Sequence, residues 1–161
     1  MRVFVYGTLR KGSCRDQRLP GHRVPAVLRG YELHQMGGAD FPYIAENPKG
    51  FVLGELVKVE PEDATETLRR LDAIEGHPSF YLRQEVEVEV LGKGTKEAFV
   101  EAWTYTMPEP RQRDGGLIPT GDFFDFRQDR LYVNIDGEDR IVGEDEFEWF
   151  KEKHCPGYKT G

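Results

Sequence analysis

Apolar and polar residues alternate most strictly in the segment QEVEVEV, where Val86, Val88 and Val90 share one face and glutamates share the other. A period of two is the pattern of a β-strand that is buried on one side only. The β-branched and aromatic residues of Val3–Tyr6 predict another, buried strand near the start of the chain. Similar apolar runs predict further strands over 24–37, 50–59 and 99–107, with a short extended piece at 43–46.

One segment follows the period of a helix instead. Pro61 suits the first turn of a helix, and the acidic residues Glu62 and Asp63 suit its positive end. Gly76 is of the residue type that most often ends a helix. Apolar residues recur at helical spacing between these ends, at Ala64, Leu68, Leu71 and Ile74. The pattern predicts one amphipathic helix over Pro61–Glu75.

The order of these elements favours an α+β fold. Strands precede and follow the helix without a repeating strand–helix–strand unit, so a mainly antiparallel sheet is favoured over a doubly wound parallel sheet. Such a sheet is either open or closed into a small barrel. The segment PEPRQRDGG at 108–116 is predicted to be a loop.

The pattern changes beyond about Phe126. A β-hairpin with an Asp136-Gly137 turn is predicted there, and a short acidic helix over 143–153 follows it. The sequence therefore predicts a domain over residues 1–127 and an extension over 128–161 that packs on it.

Composition and charge narrow the class of protein. The 161 residues suit one domain, and 29 acidic against 22 basic residues give a net charge of -7. An acidic chain repels polyanions, so no nucleic-acid partner is expected, although Arg10, Lys11, Arg15 and Arg18 can form a local positive rim.

Two further features indicate a compartment. No leader and no apolar stretch of roughly 20 residues is present, so we expect a cytoplasmic protein without a membrane partner. Only two cysteines occur, Cys14 and Cys155, which suits a reducing compartment and leaves one disulfide open.

The first candidate for chemistry is the loop after the first strand. Gly7 and Gly12 have the spacing of a phosphate-binding loop, but Ser13 stands where the phosphate-binding lysine would be. The segment is either a plain turn or a nest of backbone amides. Such a nest, aided by the Thr8 hydroxyl, would hold a carboxylate or a developing oxyanion.

Glu75 is the second candidate. A glutamate in the last turn of a helix faces the negative end of the helix dipole, which favours its protonated form. Its neighbours Ile74, Phe80 and Tyr81 would exclude water and raise its pKa further, as a general acid/base at neutral pH requires. The alternative is a solvated carboxylate at a frayed helix end.

Other residues are weaker candidates. Asp72 lies one turn before Glu75, so a glycosidase-like carboxylate pair is open, the alternative being a salt bridge to Arg69 or Arg83. Cys14 could act as a nucleophile, although lone cysteines are usually inert. The histidines have no partner at ligand spacing, so no metal is expected.

Three segments together resemble a known family. VFVYGTL, then LDAIEGHPSFYLR at the helix end, then the strand EAWTYTM closely resemble the gamma-glutamylcyclotransferase family, which includes AIG2-like proteins. Within that family the sequences of these segments most resemble those of the gamma-glutamylamine cyclotransferases. LIPTGDFFDF resembles the segment that closes the family's domain, with Phe123 where a tryptophan is common. The resemblance covers about residues 1–127 and implies a small, mainly antiparallel barrel with the helix packed beside it and a pocket at one rim.

The resemblance also implies roles and a reaction. The α-amine of a gamma-glutamyl group attacks its own γ-carbonyl, giving 5-oxoproline and a free amine, with no metal or organic cofactor. In this reaction Gly7 stays bare so that the small-molecule substrate can approach the backbone, and Glu75 is the catalytic acid/base. The implied substrate-binding residues are Tyr6, Gly7, Thr8 and Leu9 in the loop, with Tyr81 and Tyr105 as pocket walls.

A different class stays open at this point: a module that binds a small acid or a protein terminus without turnover. Glu75 disfavours it, because a site for a carboxylate gains nothing from a second carboxylate. A cavity shared by Glu75 and the Gly7-Thr8 amides would favour the enzyme. A third possibility is an enzyme of the same fold that acts on a larger gamma-glutamyl conjugate, with the acidic extension lining the entrance and favouring a cationic leaving group. The sequence does not name the leaving amine or the oligomeric state.

Overall fold

The computed structural model describes residues 1–13, 15–39, 41–91 and 99–123, and the backbone of 132–135 and 138–141. Its elements are β1 (Arg2–Val5), β2 (His22–Met36), β3 (Pro42–Lys58), α1 (Ala64–Glu75), β4 (Leu82–Val90), β5 (Phe99–Thr106), β6 (Asp114–Ile118), β7 (Tyr132–Ile135) and β8 (Glu138–Ile141). Both cysteines, the predicted Asp136-Gly137 turn and the helix predicted over 143–153 lie outside the described residues, so what the sequence indicates about them stays a prediction.

Strands β1 to β5 close into a barrel. β3 pairs with β1, β1 with β5, β5 with β4, β4 with β2, and β2 returns to β3. The β1–β5 pair is parallel and the others are antiparallel. β6 extends the sheet by pairing with β2. The predicted α+β fold, a small mainly antiparallel barrel with one flanking helix, is confirmed.

Two large apolar clusters and a smaller third one, of Val27, Leu53 and Leu91, form the described core. One large cluster lies inside the barrel and contains Phe4 and Val88, which are 1% and 0% exposed. The other large cluster joins the barrel wall to α1 and contains Val3, Val5 and Leu71. β1 serves both large clusters because successive side chains of a strand point to opposite faces. This double burial explains why its sequence is a continuous apolar run.

The alternating strand β4 has the predicted half-buried form. Val88 is buried, whereas Glu85 and Glu87 on the other face are exposed. Phe123, from the segment predicted to close the domain, is 1% exposed and belongs to the cluster inside the barrel.

The predictions for two strands were wrong. β3 is one strand over Pro42–Lys58 rather than two pieces. Its pairing with β2 continues past the polar segment 47–50, which lies opposite a shift in register at Gly30. The predicted loop over 108–116 contains the first residues of β6. Gly115 allows this strand to approach β2, since a Cβ atom there would lie 3.0 Å from the Gln35 carbonyl oxygen.

The helix has the predicted ends. Pro61–Asp63 form a single 3-10 turn that leads into α1. Gly76 adopts a left-handed conformation with φ of 70°, which few other residues tolerate, and its amide caps the Asp72 carbonyl. The chain then turns back, so that Phe80 and Tyr81 lie next to the end of the helix.

The strands of the predicted C-terminal hairpin are present. β7 and β8 pair antiparallel, from Tyr132 opposite Ile141 to Ile135 opposite Glu138. None of the helices in the described part of the chain is long and apolar enough to cross a membrane.

Candidate active site

A cavity of about 120 Å³ opens where β1, the loop after it and the end of α1 meet. Gly7, Thr8 and Leu9 line one part of it, and Glu75 lines another. Glu75 and the loop of Gly7 and Thr8 therefore share one cavity, which is the arrangement that the enzyme interpretation requires. The other lining residues are Phe4, Val5, Tyr6, Arg15, Phe41, Pro42, Ile74, Phe80, Tyr81, Thr104 and Tyr105.

Glu75 has the electrostatic environment of a general acid/base. Desolvation by its apolar surroundings raises the pKa of its carboxyl group to about 7, although the positive charge of Arg15 acts in the opposite direction. Among the described residues its side chain has no hydrogen-bond partner. The predicted neighbours Ile74, Phe80 and Tyr81 all line the cavity with it. A half-buried carboxyl group of this kind is free to exchange a proton with a bound molecule.

The loop after β1 presents backbone donors to the same cavity. The amide of Arg10 donates to the Gly7 carbonyl at 3.0 Å, which closes a turn around Thr8 and Leu9. Within the described residues the amides of Thr8 and Leu9 have no acceptor in the protein. Unpaired amides next to a cavity suit a carboxylate or an oxyanion.

Gly7 has a packing reason of its own. A Cβ atom at this position would lie 2.9 Å from Cγ of Pro42, the first residue of β3. Close contact with Pro42 therefore requires glycine whether or not a substrate approaches. The expectation that Gly7 leaves room for substrate remains a prediction beside this reason.

Buried charges fix the loop on the barrel. Arg23 of β2 donates to the carbonyl oxygens of Leu9 at 2.8 Å and Leu19 at 2.6 Å. It also forms an ion pair of 2.8 Å with Glu55 of β3, whose carboxylate accepts from the Lys11 amide at 2.9 Å. Both charged side chains are 13% exposed. The loop conformation is thus set by side chains from two strands.

The predicted positive rim is only partly present. Arg10 is 5% exposed and pairs with the buried Asp122 at 2.8 Å. Lys11 is partly buried and lies 4.0 Å from Asp16. Arg15 and Arg18 alone of the four are exposed. The Arg10–Asp122 pair is buried because the loop folds over the end of the barrel. The charge pattern of the sequence does not indicate this fold of the loop.

The three tyrosines predicted for the site all line the cavity. Tyr6 donates its hydroxyl to the Tyr105 carbonyl at 2.6 Å, and Tyr81 donates to the Pro42 carbonyl. The Tyr105 hydroxyl donates to Asp72 at 2.8 Å. Burial raises the pKa of each phenol above its usual value of 10, so all three stay neutral at pH 7. Their hydroxyls are engaged with the protein, and their rings form walls.

Asp72 has a structural partner. Its carboxylate pairs with Arg83, the second of the two partners proposed from the sequence, whereas Arg69 bonds to Glu66 instead. Asp72 is not among the residues that line the cavity. It ties the last turn of α1 to β4 through Arg83 and to β5 through Tyr105. The salt-bridge alternative is confirmed, and the carboxylate pair is not formed at the cavity.

Sequence reasoning missed several cavity residues. Phe41 and Pro42 fall in a segment whose residues predict turns, and Thr104 lies in a strand where the family resemblance points only to Tyr105. Phe41 packs edge-on against Phe80, with ring centroids 5.9 Å apart. The sequence signal that could have identified Phe41 and Pro42 is a proline next to an aromatic residue at the start of a strand. Arg15 was noted for its charge but not for a place in the cavity.

Metal ligands are not clustered in the described part of the chain. No group of three or more His, Cys, Asp or Glu side chains in that part is placed to hold a metal ion. His34 contacts Glu32 and Asp114, each at 3.0 Å, and stacks on Tyr43.

The sequence profile of one family, described as "Gamma-glutamyl cyclotransferase, AIG2-like", matches residues 3–125. The chain belongs to this family, and the resemblance found in its sequence is confirmed. It is therefore an enzyme of the gamma-glutamyl cyclotransferase class.

Individual relatives agree with that assignment. A protein of Methanocaldococcus jannaschii, named provisionally as a gamma-glutamylcyclotransferase, is 35% identical over 127 residues, which is 78% of this chain and 97% of the relative. The gamma-glutamylaminecyclotransferase of Rattus norvegicus is 32% identical over 123 residues, covering 65% of this chain and 76% of the relative. The crystal structure of an AIG2-like protein from Mus musculus has a TM-score of 0.56 at 25% identity, covering 71% of this chain and 89% of that one.

Proposed function

We propose that this protein cleaves a gamma-glutamyl amide by attack of the substrate's own α-amine on its γ-carbonyl carbon. The products are 5-oxoproline and the amine or amino acid that was linked to the γ-carbonyl. One observation carries the proposal: a carboxyl group of pKa about 7 lines the same small cavity as Thr8 and Leu9, whose amides have no acceptor among the described residues. The relatives' names support the same reaction class.

Glu75 is the proton carrier in this scheme. The substrate's α-amine is largely protonated at neutral pH, so a base must take a proton before the nitrogen attacks. The ionised Glu75 carboxylate takes that proton, and the resulting acid returns one to the departing amine when the C–N bond breaks. The attacking nitrogen loses its second proton to solvent as the neutral lactam forms, and the released amine takes up a proton from solvent at neutral pH. A pKa near 7 makes both forms available at neutral pH.

The loop amides stabilise the negative charge that forms during the reaction. Attack converts the γ-carbonyl into a tetrahedral intermediate with a charged oxygen. Thr8 and Leu9 would donate their amides to this oxygen or to the substrate's α-carboxylate. Because Arg23 and Glu55 already fix the loop, little reorganisation is needed during the reaction. The small cavity also favours a folded substrate in which amine and carbonyl are adjacent.

A binding module without turnover is less well supported. Such a site would gain from a neutral or positive partner for the bound carboxylate. The apolar burial of Glu75 has no use there, and its charge would repel the ligand above its pKa.

Replacement of Glu75 by Gln tests the proposal. The variant keeps the shape of the side chain but cannot carry a proton, so 5-oxoproline release should fall about 100-fold to 10,000-fold. In the wild type, kcat/KM should rise with pH through about 7, because the ionised carboxylate is the active base. Release is measured by chromatography on a panel of gamma-glutamyl amino acids and amines.

The exposed Glu62→Gln substitution is the matched control, since it removes one carboxylate from the other end of the same helical segment. It should leave release unchanged. Full activity in Glu75→Gln, with the fold intact by circular dichroism, would refute the assigned role. Saturable binding without release from any substrate would favour the binding module.

A further inference from the structure

Arg15 is the one cationic residue among the described residues that line the cavity. Its backbone is held on both sides: its amide donates to the Thr8 carbonyl at 2.9 Å, and its carbonyl accepts from the Arg18 amide at 3.0 Å. Its side chain is exposed, and within the described residues the guanidinium has no hydrogen bond or ion pair. Arg10 and Arg23 in the same region are both paired with carboxylates. The backbone of Arg15 is thus fixed beside the cavity, and its guanidinium is available to pair with a bound anion.

The position of Arg15 indicates which part of a substrate it meets. The α-amine must reach Glu75, and the reacting carbonyl must reach the amides of Thr8 and Leu9. Arg15 is exposed, whereas Tyr6, Leu9 and Tyr105 of the same lining are buried, so the guanidinium lies on the solvent side of the cavity. A leaving group that extends from the reacting carbonyl toward solvent passes this side.

From this placement we propose that Arg15 binds a carboxylate on the leaving group. The preferred substrates are then gamma-glutamyl amino acids rather than gamma-glutamyl amines. This inference rests on the proposed cyclotransferase function. A guanidinium suits a carboxylate because its donors match the two oxygens, and it repels a cationic leaving group. The positive charge beside the cavity thus opposes the preference for a cation that the acidic extension indicates.

Two substrates that differ in one group test the inference. Gamma-glutamyl-L-alanine and gamma-glutamyl-ethylamide have the same head and carbon skeleton at the cleaved bond, but only the first carries a carboxylate on the leaving group. The wild type should show a kcat/KM about 10-fold higher for the alanine compound. Gamma-glutamyl-L-alaninamide, which is neutral at this position, should behave like the ethylamide.

Arg15→Gln should bring the ratio of the two kcat/KM values close to one, mainly by loss on the alanine compound. Any change in the pKa of Glu75 affects both substrates and cancels in this ratio. Arg15→Lys should restore part of the preference because it restores the charge. Arg18→Gln, at an exposed arginine that does not line the cavity, is the matched control and should keep the wild-type ratio.

A wild-type ratio near one, or an equal loss on both substrates in Arg15→Gln, would overturn the inference and leave the proposed function intact. An equal loss would indicate that Arg15 contacts the glutamyl head. A similar change of ratio in Arg18→Gln would show a general surface-charge effect and would also overturn it. No 5-oxoproline from any of the three compounds would instead overturn the proposed function, and with it this inference.

Discussion

Glu75 couples activity to stability through its burial. Desolvation raises the pKa of its carboxyl group from 4.5 to about 7, so the folded protein holds this proton more tightly than the unfolded chain does. The unfolded chain loses the proton first as the pH rises, and the folded state is destabilised between about pH 4.5 and pH 7. The burial that suits Glu75 to acid/base chemistry thus lowers the free energy of unfolding at neutral pH.

We therefore expect Glu75→Gln to be more stable than the wild type at pH 8, by up to about 3 kcal/mol. At pH 4 the two proteins should be equally stable, because Glu75 is protonated in both the folded and the unfolded wild type. Urea unfolding at the two pH values measures the difference. Glu62→Gln serves as the control and should show no such pH-dependent gain. A stability gain that is the same at both pH values would contradict the assigned pKa.

At the scale of elements, the contact between the loop after β1 and the start of β3 has two possible purposes. The side chain of Pro42 leaves no room for a Cβ atom at Gly7. The same glycine lines the cavity where a substrate would approach the backbone. Packing and function can be separated by changing both partners of the contact.

Gly7→Ala should destabilise the protein by about 1–3 kcal/mol, because the added methyl group overpacks against Pro42. The double variant with Pro42→Ala should recover part of this loss, relative to Pro42→Ala alone, since the clashing ring is gone. Urea unfolding gives the stabilities and 5-oxoproline release gives the activity. If activity returns together with stability, packing is the reason for glycine, and if activity stays low, access of the substrate is.

At the scale of the whole molecule, the cavity depends on buried charges that connect the loop to the barrel. Arg23 and Glu55 lie on different strands, and their pair is mostly shielded from water. Arg29 lies on the same strand as Arg23, but its pair with Glu89 is on the surface, where its side chain is 58% exposed. The two arginines are a natural comparison between a buried and an exposed ion pair.

Arg23→Met should cost about 3 kcal/mol, because it removes the guanidinium that pairs with the mostly buried Glu55 and donates to the Leu9 carbonyl. Amide hydrogen exchange should become faster in the loop after β1, and release of 5-oxoproline should fall with it. Arg29→Met should cost less than about 1 kcal/mol and leave both readouts unchanged. Equal costs for the two variants would show that the buried pair does not hold the loop.

Much of the fold could be predicted because its signals are local. The alternation in β4, the apolar run of β1 and the start and cap of α1 each depend on residues close together in sequence. β6 was missed because its glycines resemble a loop until β2 lies beside them. The candidate site residues were found through motifs, and the structure brings them to one cavity.

The sequence by itself determined four of the five barrel strands, β1, β2, β4 and β5, the single helix with its glycine cap, and the placing of Glu75 at the helix end. Only the tertiary structure decided that β1 and β5 close the barrel as a parallel pair, with Val3 opposite Trp103. It also decided that Arg10 is buried, whereas Arg15 is exposed and lines the cavity. The physical reason is that periodicity and capping depend on neighbours in the chain. Burial, ion pairing and raised pKa values depend on residues that folding brings together from distant positions.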